Sequence, residues 1–522
     1  MKLTTNQILQ KGIAAHQKGE INEAIKFYND ILYIEPDNLD ANNNLGIALI
    51  KLSKLDEAAI CFKKVLNVNP DLAVVHHNLG RVLLETDKLN EAEASFIRAK
   101  EIKSDYFSAY NNLGIIYVKF QKFEKAESNF LKALELKPDY PNAQFGLGIT
   151  FHNLDRLDDA ISCFKKTLEL EPNHFDACYS LGVSLLALGK LDNAEVSFKN
   201  ALKMKPDSFD AHNGLGNIYI ELGKLEEAEI SLRKALTINP NYDLARYNLG
   251  LALFTMSKFA KASKEFGLIN YKNSKEFVLR CLFELNEQSN FDNHLINLSS
   301  KEMNNALIGS LISRASIKYG VNKSNPFCND PLNYVFKTEL ISQCNFKNIF
   351  VKNINDILCD NNVKKRQQTL LTHGVQTSGN VFLQKGTGID EIRKILYLEI
   401  EKYRTYFQDS NEGFLKNWPT DYYINGWIVS MKSGGNLSPH MHELGWVSGS
   451  VYINVPPKLK IDSGNLVVCI DDVVLEKDKN TQKIIDVVTG SLCLFPSSLL
   501  HYTIPFESIE DRVVLAFDVM PK

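Results

Sequence analysis

Histidines near the C-terminal end of the chain have a spacing that could hold a metal ion. His440 and His442 are two residues apart, and His501 lies 59 residues beyond the second. Residues two apart on a β-strand point to the same face, so both imidazoles can reach one ion. A later strand could supply the third ligand. This spacing matches the facial ligand arrangement of non-haem iron sites, while exposed or hydrogen-bonded histidines without a metal are the ordinary alternative.

A single arginine follows this histidine group. Arg512 lies eleven residues after His501 and is the only arginine beyond residue 404. It opens the apolar run 512–517, which is typical of a strand that faces a protein interior. A buried arginine needs an anion, and its planar guanidinium can bind a carboxylate at two points. The alternative is an ordinary arginine at the strand edge, paired with Glu510 or Asp511.

The elements that must position these residues are predicted to be short strands separated by turns. Beyond residue 326, alternating or apolar runs cover residues 422–431, 446–455, 466–470, 491–495 and 512–519. One amphipathic helix is predicted near residues 389–406, and the polar run 372–380 is predicted to be a surface loop. Many short strands with frequent turns favour a sandwich or jelly roll.

The first half of the chain is an internal repeat. The dipeptide Leu-Gly recurs every 34 residues from Leu45-Gly46 to Leu249-Gly250, and Gly12 extends the register to eight glycines. An alanine follows each glycine after twelve residues. Four residues later comes an aromatic residue, except at Leu232, and a proline closes most units. This periodicity predicts stacked helical hairpins, because glycine and alanine allow close helix approach and proline cannot continue a helix.

Stacked hairpins form an extended concave face, which implies recognition of a peptide or protein. The residue two before each repeat glycine should lie on the first helix of its unit. At four of these positions it is an asparagine able to bond a peptide backbone, namely Asn44, Asn78, Asn112 and Asn248. The row is interrupted by Gly146, Ser180 and Gly214. His76 and His77 are expected on a solvated helix face.

These patterns predict a multidomain chain, with an all-α repeat superhelix followed by a mainly β jelly roll. Eight units of 34 residues, starting near residue 5, occupy residues 1–276. Residues 277–325 keep a helical apolar spacing but lose the repeat signature, so they are predicted to form a helical cap and linker. Pro326 and Pro331 mark the boundary to the β domain, residues 326–522.

The composition limits the function classes. The 59 Lys+Arg residues nearly balance the 62 Asp+Glu residues, so no net field favours nucleic acid or an anionic membrane as a partner. No stretch approaches 18 consecutive apolar residues, so no membrane-spanning helix is expected. The nine cysteines occur singly without a CxxC pair, which argues against a disulfide framework and predicts a cytoplasmic protein.

The repeat half closely resembles the tetratricopeptide repeat (TPR), with eight units over about residues 5–276. Its asparagine row resembles the asparagine ladder in the repeat domain of O-linked N-acetylglucosamine transferase. The resemblance implies that the concave groove takes part in protein–protein interaction by binding an extended polypeptide.

The second half resembles the 2-oxoglutarate- and iron(II)-dependent oxygenases, especially bacterial and phage members joined to tetratricopeptide repeats. The similarity covers about residues 325–522 and is carried by His440-Met441-His442, the runs 446–452 and 490–497, His501 and Arg512. In that superfamily a double-stranded β-helix holds iron by a His-x-Asp/Glu pair and a distal histidine. An arginine on the last strand binds the far carboxylate of 2-oxoglutarate. The resemblance implies His440 and His501 as iron ligands and Arg512 as a cosubstrate ligand, and Tyr452 and Ser448 could line the cosubstrate pocket.

Position 442 departs from the family pattern, because it is histidine where the family has a carboxylate. His442 could complete a three-histidine site, a local bulge could let Glu443 bind, or the second protein ligand could be absent. We favour the three histidines. A site of three neutral imidazoles has one negative charge fewer than a site with two histidines and a carboxylate, which should weaken iron binding and alter oxygen reactivity.

The resemblance implies a dioxygenase, an oxidoreductase that hydroxylates a C–H bond with Fe(2+) and 2-oxoglutarate as cofactors. Prolyl 4-hydroxylase and aspartyl/asparaginyl β-hydroxylase also join repeats to this fold, which by analogy favours a protein or peptide substrate. Two alternatives stay open: a non-catalytic repeat scaffold with a degenerate jelly roll, and a metal cupin acting on a small molecule without redox chemistry. Arg512 best discriminates the oxygenase from the metal cupin, since an oxygenase depends on the salt bridge of this arginine and such a cupin has no need of it.

Overall fold

The computed structural model describes residues 4–360, 363, 365–366, 370–384, 386–471 and 481–522. The chain divides into two compact units, Met1–Met256 and Ser257–Lys522. In its described residues the first unit contains only helices and turns, and the second combines helices with two antiparallel sheets. None of the helices in the described ranges is long and apolar enough to cross a bilayer.

The first unit consists of helices that alternate between 13 and 14 residues in length. They are α1 (Thr5–Gln17), α2 (Ile21–Ile34), α3 (Leu39–Lys51), α4 (Leu55–Val68), α5 (Ala73–Glu85), α6 (Leu89–Ile102), α7 (Phe107–Lys119), α8 (Phe123–Leu136), α9 (Pro141–Asn153), α10 (Leu157–Leu170), α11 (Phe175–Ala187), α12 (Leu191–Met204), α13 (Phe209–Glu221), α14 (Leu225–Ile238) and α15 (Asp243–Thr255). Within each hairpin the turn contains a left-handed residue, such as Gly189 with a φ of 73°. Glycine adopts this conformation without a steric penalty.

Glycine–aromatic contacts hold the helices of this unit close together. A Cβ atom added to Gly114 would lie 2.6 Å from Phe130 Cε1, and one added to Gly146 would lie 2.4 Å from Phe130 Cζ. Side-chain carbons do not approach each other so closely in a packed interior, so only glycine fits beside this fully buried ring. Phe130 therefore packs against its own hairpin and the next one.

The second unit begins with helices and continues into the β domain. Its helices are α16 (Phe259–Gly267), α17 (Ser274–Glu284), α18 (Gln288–Ile296), α19 (Ser300–Met303), α20 (Ala306–Tyr319), α21 (Asn353–Cys359), α22 (Thr387–Tyr406) and α23 (Gly413–Lys416). Its strands are β1 (Phe336–Glu339), β2 (Lys365–Arg366), β3 (Leu371–Thr377), β4 (Tyr422–Leu437), β5 (Val447–Asn454), β6 (Leu466–Cys469), β7 (Gln482–Ile485), β8 (Ser491–Pro496), β9 (Leu500–Thr503) and β10 (Arg512–Pro521).

The strands form a seven-stranded sheet in the order β1-β8-β5-β10-β4-β3-β2 and a three-stranded sheet in the order β7-β6-β9. Helix α22 packs on one face of the large sheet, where Ile392 and Leu396 share a core with Leu515 and Phe517 of β10. This arrangement confirms the predicted fold class, an all-α superhelix followed by a mainly β domain.

The prediction of a surface loop over residues 372–380 was wrong. Residues Leu371–Thr377 form β3, which pairs with β4 through partners such as Gln376 and Val429. The segment is polar because much of it faces solvent, and only its two ends are buried. A half-exposed strand of this kind lacks the apolar run that identifies a strand in sequence.

Helix α20 shares a core with the β domain. Ala306 is buried in the same hydrophobic cluster as Phe327, Trp446 and Val447. A Cβ atom on Gly309 would lie 2.8 Å from Phe327 Cβ, so glycine allows the close approach of this helix. The segment predicted as a cap and linker therefore contributes to the interior of the second unit.

Candidate metal and cosubstrate site

The three histidines identified from their spacing lie together. Potential ligand atoms of His440, His442 and His501 all lie within 4.8 Å of one another. An isolated antiparallel bridge brings the first and third together, with His501 N donating to His440 O at 2.8 Å. His442 lies beyond this bridge and outside any strand, so the pair does not sit on one regular strand as the spacing suggested.

Hydrogen bonds fix the rings of two of these histidines. His440 Nδ1 lies 2.9 Å from the Ser438 carbonyl oxygen, and His442 Nδ1 lies 2.7 Å from Asp518 Oδ1. Both partners can only accept, so Nδ1 carries a proton in each ring, and Nε2 is the atom that can bind a metal. Two converging imidazoles of this kind suit a metal ion such as iron(II).

His501 supplies the third imidazole and has an unsatisfied ring atom. Its Nδ1 is buried and has no hydrogen-bond partner in the described part of the chain. A buried polar atom without a partner is costly unless a ligand satisfies it. The group therefore fits a divalent metal ion on the chemistry of its donors.

Burial also favours the neutral form of two of these imidazoles, His440 and His501. It lowers the pKa of His440 to about 4, with the nearby His442 acting in the same direction. Burial lowers the pKa of His501 well below its ordinary value, and both neighbouring histidines add to the effect. A metal binds the neutral form of imidazole, so no proton has to be displaced from these two rings near pH 7.

Glu443, the alternative ligand considered from the sequence, has another partner. Its Oε1 lies 2.5 Å from Arg280 Nη1 on α17. Gly445 N donates to His442 O at 3.0 Å, which makes a tight turn directly after the histidine pair. The carboxylate at position 443 is thus engaged with the helical segment of the second unit.

The histidines and Arg512 line the same cavity, which has a volume of about 510 Å³. Strand β10 contributes every second residue to its wall, namely Arg512, Val514, Ala516, Asp518 and Met520. Trp427 and Met431 of β4 and Leu466 of β6 add apolar surface. The cavity therefore lies between the large and the small sheet, opposite the face that α22 covers.

Arg512 is almost completely buried, with 1% of its surface exposed. Its Nε donates to Gly464 O at 3.2 Å, and its guanidinium carbon lies 5.1 Å from the ring centre of Tyr452. No carboxylate in the described ranges forms an ion pair with it, and Asp511 instead accepts a hydrogen bond from Ser430. A buried cation in this state needs an anionic ligand to offset its desolvation.

The two other residues expected near the cosubstrate lie in different places. Tyr452 lines the cavity and is 1% exposed, and burial raises the pKa of its hydroxyl well above the ordinary value. Ser448 is not part of the cavity wall. Its hydroxyl donates to Asp518 Oδ1 at 2.8 Å and lies 2.8 Å from Ser497 Oγ.

Several polar residues of this cavity were not predicted as site residues, among them Asp518 and Gln376. Asp518 lies on the same face of β10 as Arg512, because six residues separate the two, and the alternation of a strand could have identified it. Gln376 lies in the segment predicted to be a loop. Its side chain is buried, and its Oε1 has no hydrogen-bond partner in the described residues.

The asparagine row of the repeats is only partly available for a ligand. Asn112 Nδ2 lies 3.1 Å from His77 Nε2, and Asn248 Nδ2 donates to Asn213 Oδ1 at 3.0 Å. Within the described residues, no side-chain hydrogen bond engages Asn44 or Asn78, and both are half-buried. The role of these two amides in peptide binding stays a prediction.

The expectation of a solvated helix face was wrong for His77. This ring is 8% exposed, and its centre lies 5.5 Å from that of Phe96 and 4.8 Å from that of Tyr106. Burial, with a smaller effect of Arg81, lowers the pKa of His77 to about 4. The repeat spacing locates helices well but does not reveal which polar residue turns inward.

Comparison with known proteins agrees with both halves of this description. Residues 425–518 match the family model described as "Putative 2OG-Fe(II) oxygenase". Three tetratricopeptide repeat models match segments between residues 8 and 243. These matches confirm the resemblances found in the sequence: the chain joins tetratricopeptide repeats to a domain that matches this oxygenase family. No curated protein matches the chain.

Solved structures similar to the chain include several repeat proteins. One is YrrB, described as a TPR protein with an unusual peptide-binding site, at 28% identity over 36% of this chain and 96% of that one, with a TM-score of 0.32. Another is a tetratricopeptide repeat protein from Parabacteroides merdae, at 19% identity over 48% and 98%, with a TM-score of 0.39. A third is MamA from Desulfovibrio magneticus, at 24% identity over 31% and 91%, with a TM-score of 0.30.

Proposed function

We propose that the second unit is an iron(II)- and 2-oxoglutarate-dependent oxygenase that hydroxylates its substrate, and that the repeats recruit a protein or peptide. The observation that carries this proposal is one cavity lined by three converging imidazoles and by a buried arginine without a counter-ion in the described ranges. The first group suits a metal, and the second suits a carboxylate.

His440, His442 and His501 would hold the iron, and Arg512 would hold the cosubstrate carboxylate. Iron(II) and 2-oxoglutarate, when bound, would supply the activation of O₂ and the oxidation of a substrate C–H bond. The residues of this chain would bind the iron and the cosubstrate, orient them, and shield them from water. A charge-assisted pair with Arg512 would fix one end of a dicarboxylate, and the Tyr452 ring would restrict its approach.

The apolar side chains in the cavity have a separate role. Trp427, Met431 and Val514 line the wall near the polar groups. Exclusion of water by such residues strengthens the electrostatic interactions inside the cavity and protects reactive species from solvent. A cavity of this size accepts the cosubstrate together with a side chain or another small group of the substrate.

The repeat unit offers a groove for the polypeptide. A cavity of about 700 Å³ is lined by aromatic and polar residues of α5, α7 and α9, including Phe145 and Asn142. Arg81 and Lys119 also line it, and none of its fourteen lining residues is acidic. This charge pattern favours an acidic peptide segment, which Asn44 and Asn78 could bind further along the array.

The test is turnover by the full chain. With iron(II), O₂ and 2-oxoglutarate, the protein should release succinate slowly without a prime substrate, and His440→Ala should abolish this release. If metal binds but no succinate forms under any condition, a metal cupin without redox chemistry replaces the proposal. If neither metal nor cosubstrate binds, the β domain is a non-catalytic part of a repeat scaffold.

A further inference from the structure

Asp518 is a buried carboxylate that the sequence motif does not include. Its side chain is 7% exposed, and its Oδ1 lies 2.7 Å from His442 Nδ1. In the described ranges no lysine or arginine forms an ion pair with Asp518. A buried carboxylate without a cation is costly, so its hydrogen-bond partners must offset the desolvation.

The hydrogen-bond network around Asp518 includes residues of three other segments, with His442, Ser448 and Ser497 as its members. Ser448 on β5 donates to the same oxygen at 2.8 Å, and Ser448 and Asp518 are register partners between β5 and β10. Ser497 Oγ lies 2.8 Å from Ser448 Oγ. A Cβ atom on Gly445 would lie 2.7 Å from Ser497 Oγ and 3.2 Å from Asp518 Cγ, so glycine lets the loop after His442 close over this network.

This network determines how His442 can act. The carboxylate accepts a hydrogen bond from Nδ1–H, so a metal ion can bind this imidazole only at Nε2, on the other side of the ring. Trp427 packs edge-on against the same ring with the ring centres 5.0 Å apart. The imidazole is thus held by a carboxylate at one atom and by an indole on its side.

We propose that Asp518 is a positioning residue of the metal centre, which orients His442 through the hydrogen bond to Nδ1. Through the imidazole it also supplies the negative charge that a carboxylate bound directly to the metal would bring. This inference rests on the proposed metal site but not on the proposed turnover. It explains how a site of three imidazoles can hold a cation without a carboxylate in the motif. Carboxylates hydrogen-bonded to metal-bound imidazoles increase the basicity of the ligand and fix its orientation.

The experiment measures iron(II) affinity in the full chain by anaerobic competition with a chelator. Asp518→Asn preserves shape and an acceptor oxygen but removes the charge, whereas Asp518→Ala removes both. We expect affinity to fall about 10–100-fold for Asp518→Asn and further for Asp518→Ala. Asp518→Glu restores the charge and should recover part of the loss. Asp511→Asn, the same substitution at an exposed position just before β10, is the matched control and should bind iron like the wild type.

A second readout separates a charge effect from a packing effect. Loss of a nearby negative charge destabilises iron(III) relative to iron(II), so the reduction potential of Asp518→Asn should shift to a more positive value. Thermal unfolding of the metal-free variant shows whether the fold has survived. Asp518→Asn keeps the side-chain volume, so this variant decides the matter even if Asp518→Ala does not fold.

Three results would overturn the inference. Wild-type affinity and potential in Asp518→Asn would show that the carboxylate does not act on the metal. X-ray absorption spectra in which iron loses a carboxylate oxygen in that variant would make Asp518 a direct ligand. Failure of the wild-type chain to bind iron would remove this inference together with the proposed function. Iron binding without any 2-oxoglutarate turnover would contradict only the proposed function.

Discussion

The repeat unit and the β unit use their buried positions in different ways. In the repeats, one contact between a glycine and an aromatic residue recurs in most hairpins, as for Gly46 with Phe62 and Gly114 with Phe130. In the β unit, the residues of the candidate site are polar, occur once, and come from segments far apart in sequence, as for His442 and Asp518. The first pattern stabilises a fold, and the second builds a site. Substitutions in the two units should therefore have effects of different kinds.

The largest expected effect is the loss of the metal. His440→Ala or His501→Ala leaves two imidazoles, which should reduce iron(II) binding to a level that a titration no longer detects. His442→Ala should do the same if the three histidines form the site. The measurement is anaerobic iron(II) binding by the full chain, with thermal unfolding of the metal-free protein to show that the repeats are unaffected.

Glu443→Gln is the matched control for the histidine variants. Glu443 is paired with Arg280, so the variant should keep iron binding close to that of the wild type. Loss of iron with Glu443→Gln, but not with His442→Ala, would assign the ligand to the other residue.

A substitution in the repeat core should cost stability without affecting the metal. Phe130→Ala removes a fully buried ring that touches two hairpins, and such truncations cost about 3–5 kcal/mol. Leu131→Ala, at the neighbouring half-exposed position, should cost much less. Chemical unfolding followed by circular dichroism measures both. If Phe130→Ala lost iron binding as well as helix stability, the repeat core and the metal site would not be independent of each other.

Removal of the buried arginine should affect the cosubstrate and not the metal. Arg512→Ala should weaken 2-oxoglutarate binding by about 2–5 kcal/mol, because one partner of a buried charge-assisted pair is lost. Arg512→Lys should restore only part of the affinity, since an ammonium group cannot bind a planar carboxylate at two points. Isothermal titration of the iron-loaded protein measures both variants, and unchanged affinity in Arg512→Ala would rule out this role.

Replacement of Arg512 should not reduce the stability of the ligand-free protein, although it should weaken cosubstrate binding. Its guanidinium is buried without a carboxylate in the described ranges, so an apolar residue of similar volume should be tolerated or even stabilising in the absence of a ligand. We expect Arg512→Met to melt at the same or a higher temperature than the wild type when no cosubstrate is present. A markedly lower melting temperature would indicate an anionic partner within the protein.

The smallest expected effect is a pH dependence of the repeats. The folded pKa of His77 is about 4, below the value of about 6.5 in an unfolded chain. The unfolded chain therefore binds the proton more readily, and stability present above pH 6.5 is lost as the pH falls towards 4. The difference amounts to about 3 kcal/mol at most. His77→Gln should reduce the slope of stability against pH over this range. An unchanged slope would show that His77 does not cause the pH dependence.

The sequence was a good guide wherever a feature repeats or alternates. The 34-residue period predicted the hairpins, and apolar runs predicted β4, β5, β6, β8 and β10. The spacing of His440 and His442 indicated a metal site. These signals are local, and local spacing is directly visible in a sequence.

Features that depend on contacts between distant segments could not be predicted. Asp518 is 76 residues from His442, and only the pairing of β10 with β5 and the turn at Gly445 brings them together. Arg280 and Glu443 are 163 residues apart. The inward turn of His77 depends on two neighbouring rings, Phe96 and Tyr106. None of these contacts follows from a period or a motif.

The most direct test of a shared site for metal and carboxylate is an anaerobic titration of the full chain with iron(II) and then with 2-oxoglutarate, followed by visible absorption. We expect one iron per chain and a weak charge-transfer band that appears only when both are present. The band should saturate at one equivalent of 2-oxoglutarate and be lost in His501→Ala, while Arg512→Ala should need far more cosubstrate. Absence of iron binding, or a band whose dependence on 2-oxoglutarate is the same in Arg512→Ala, would contradict the proposal that this cavity holds a metal and a carboxylate together.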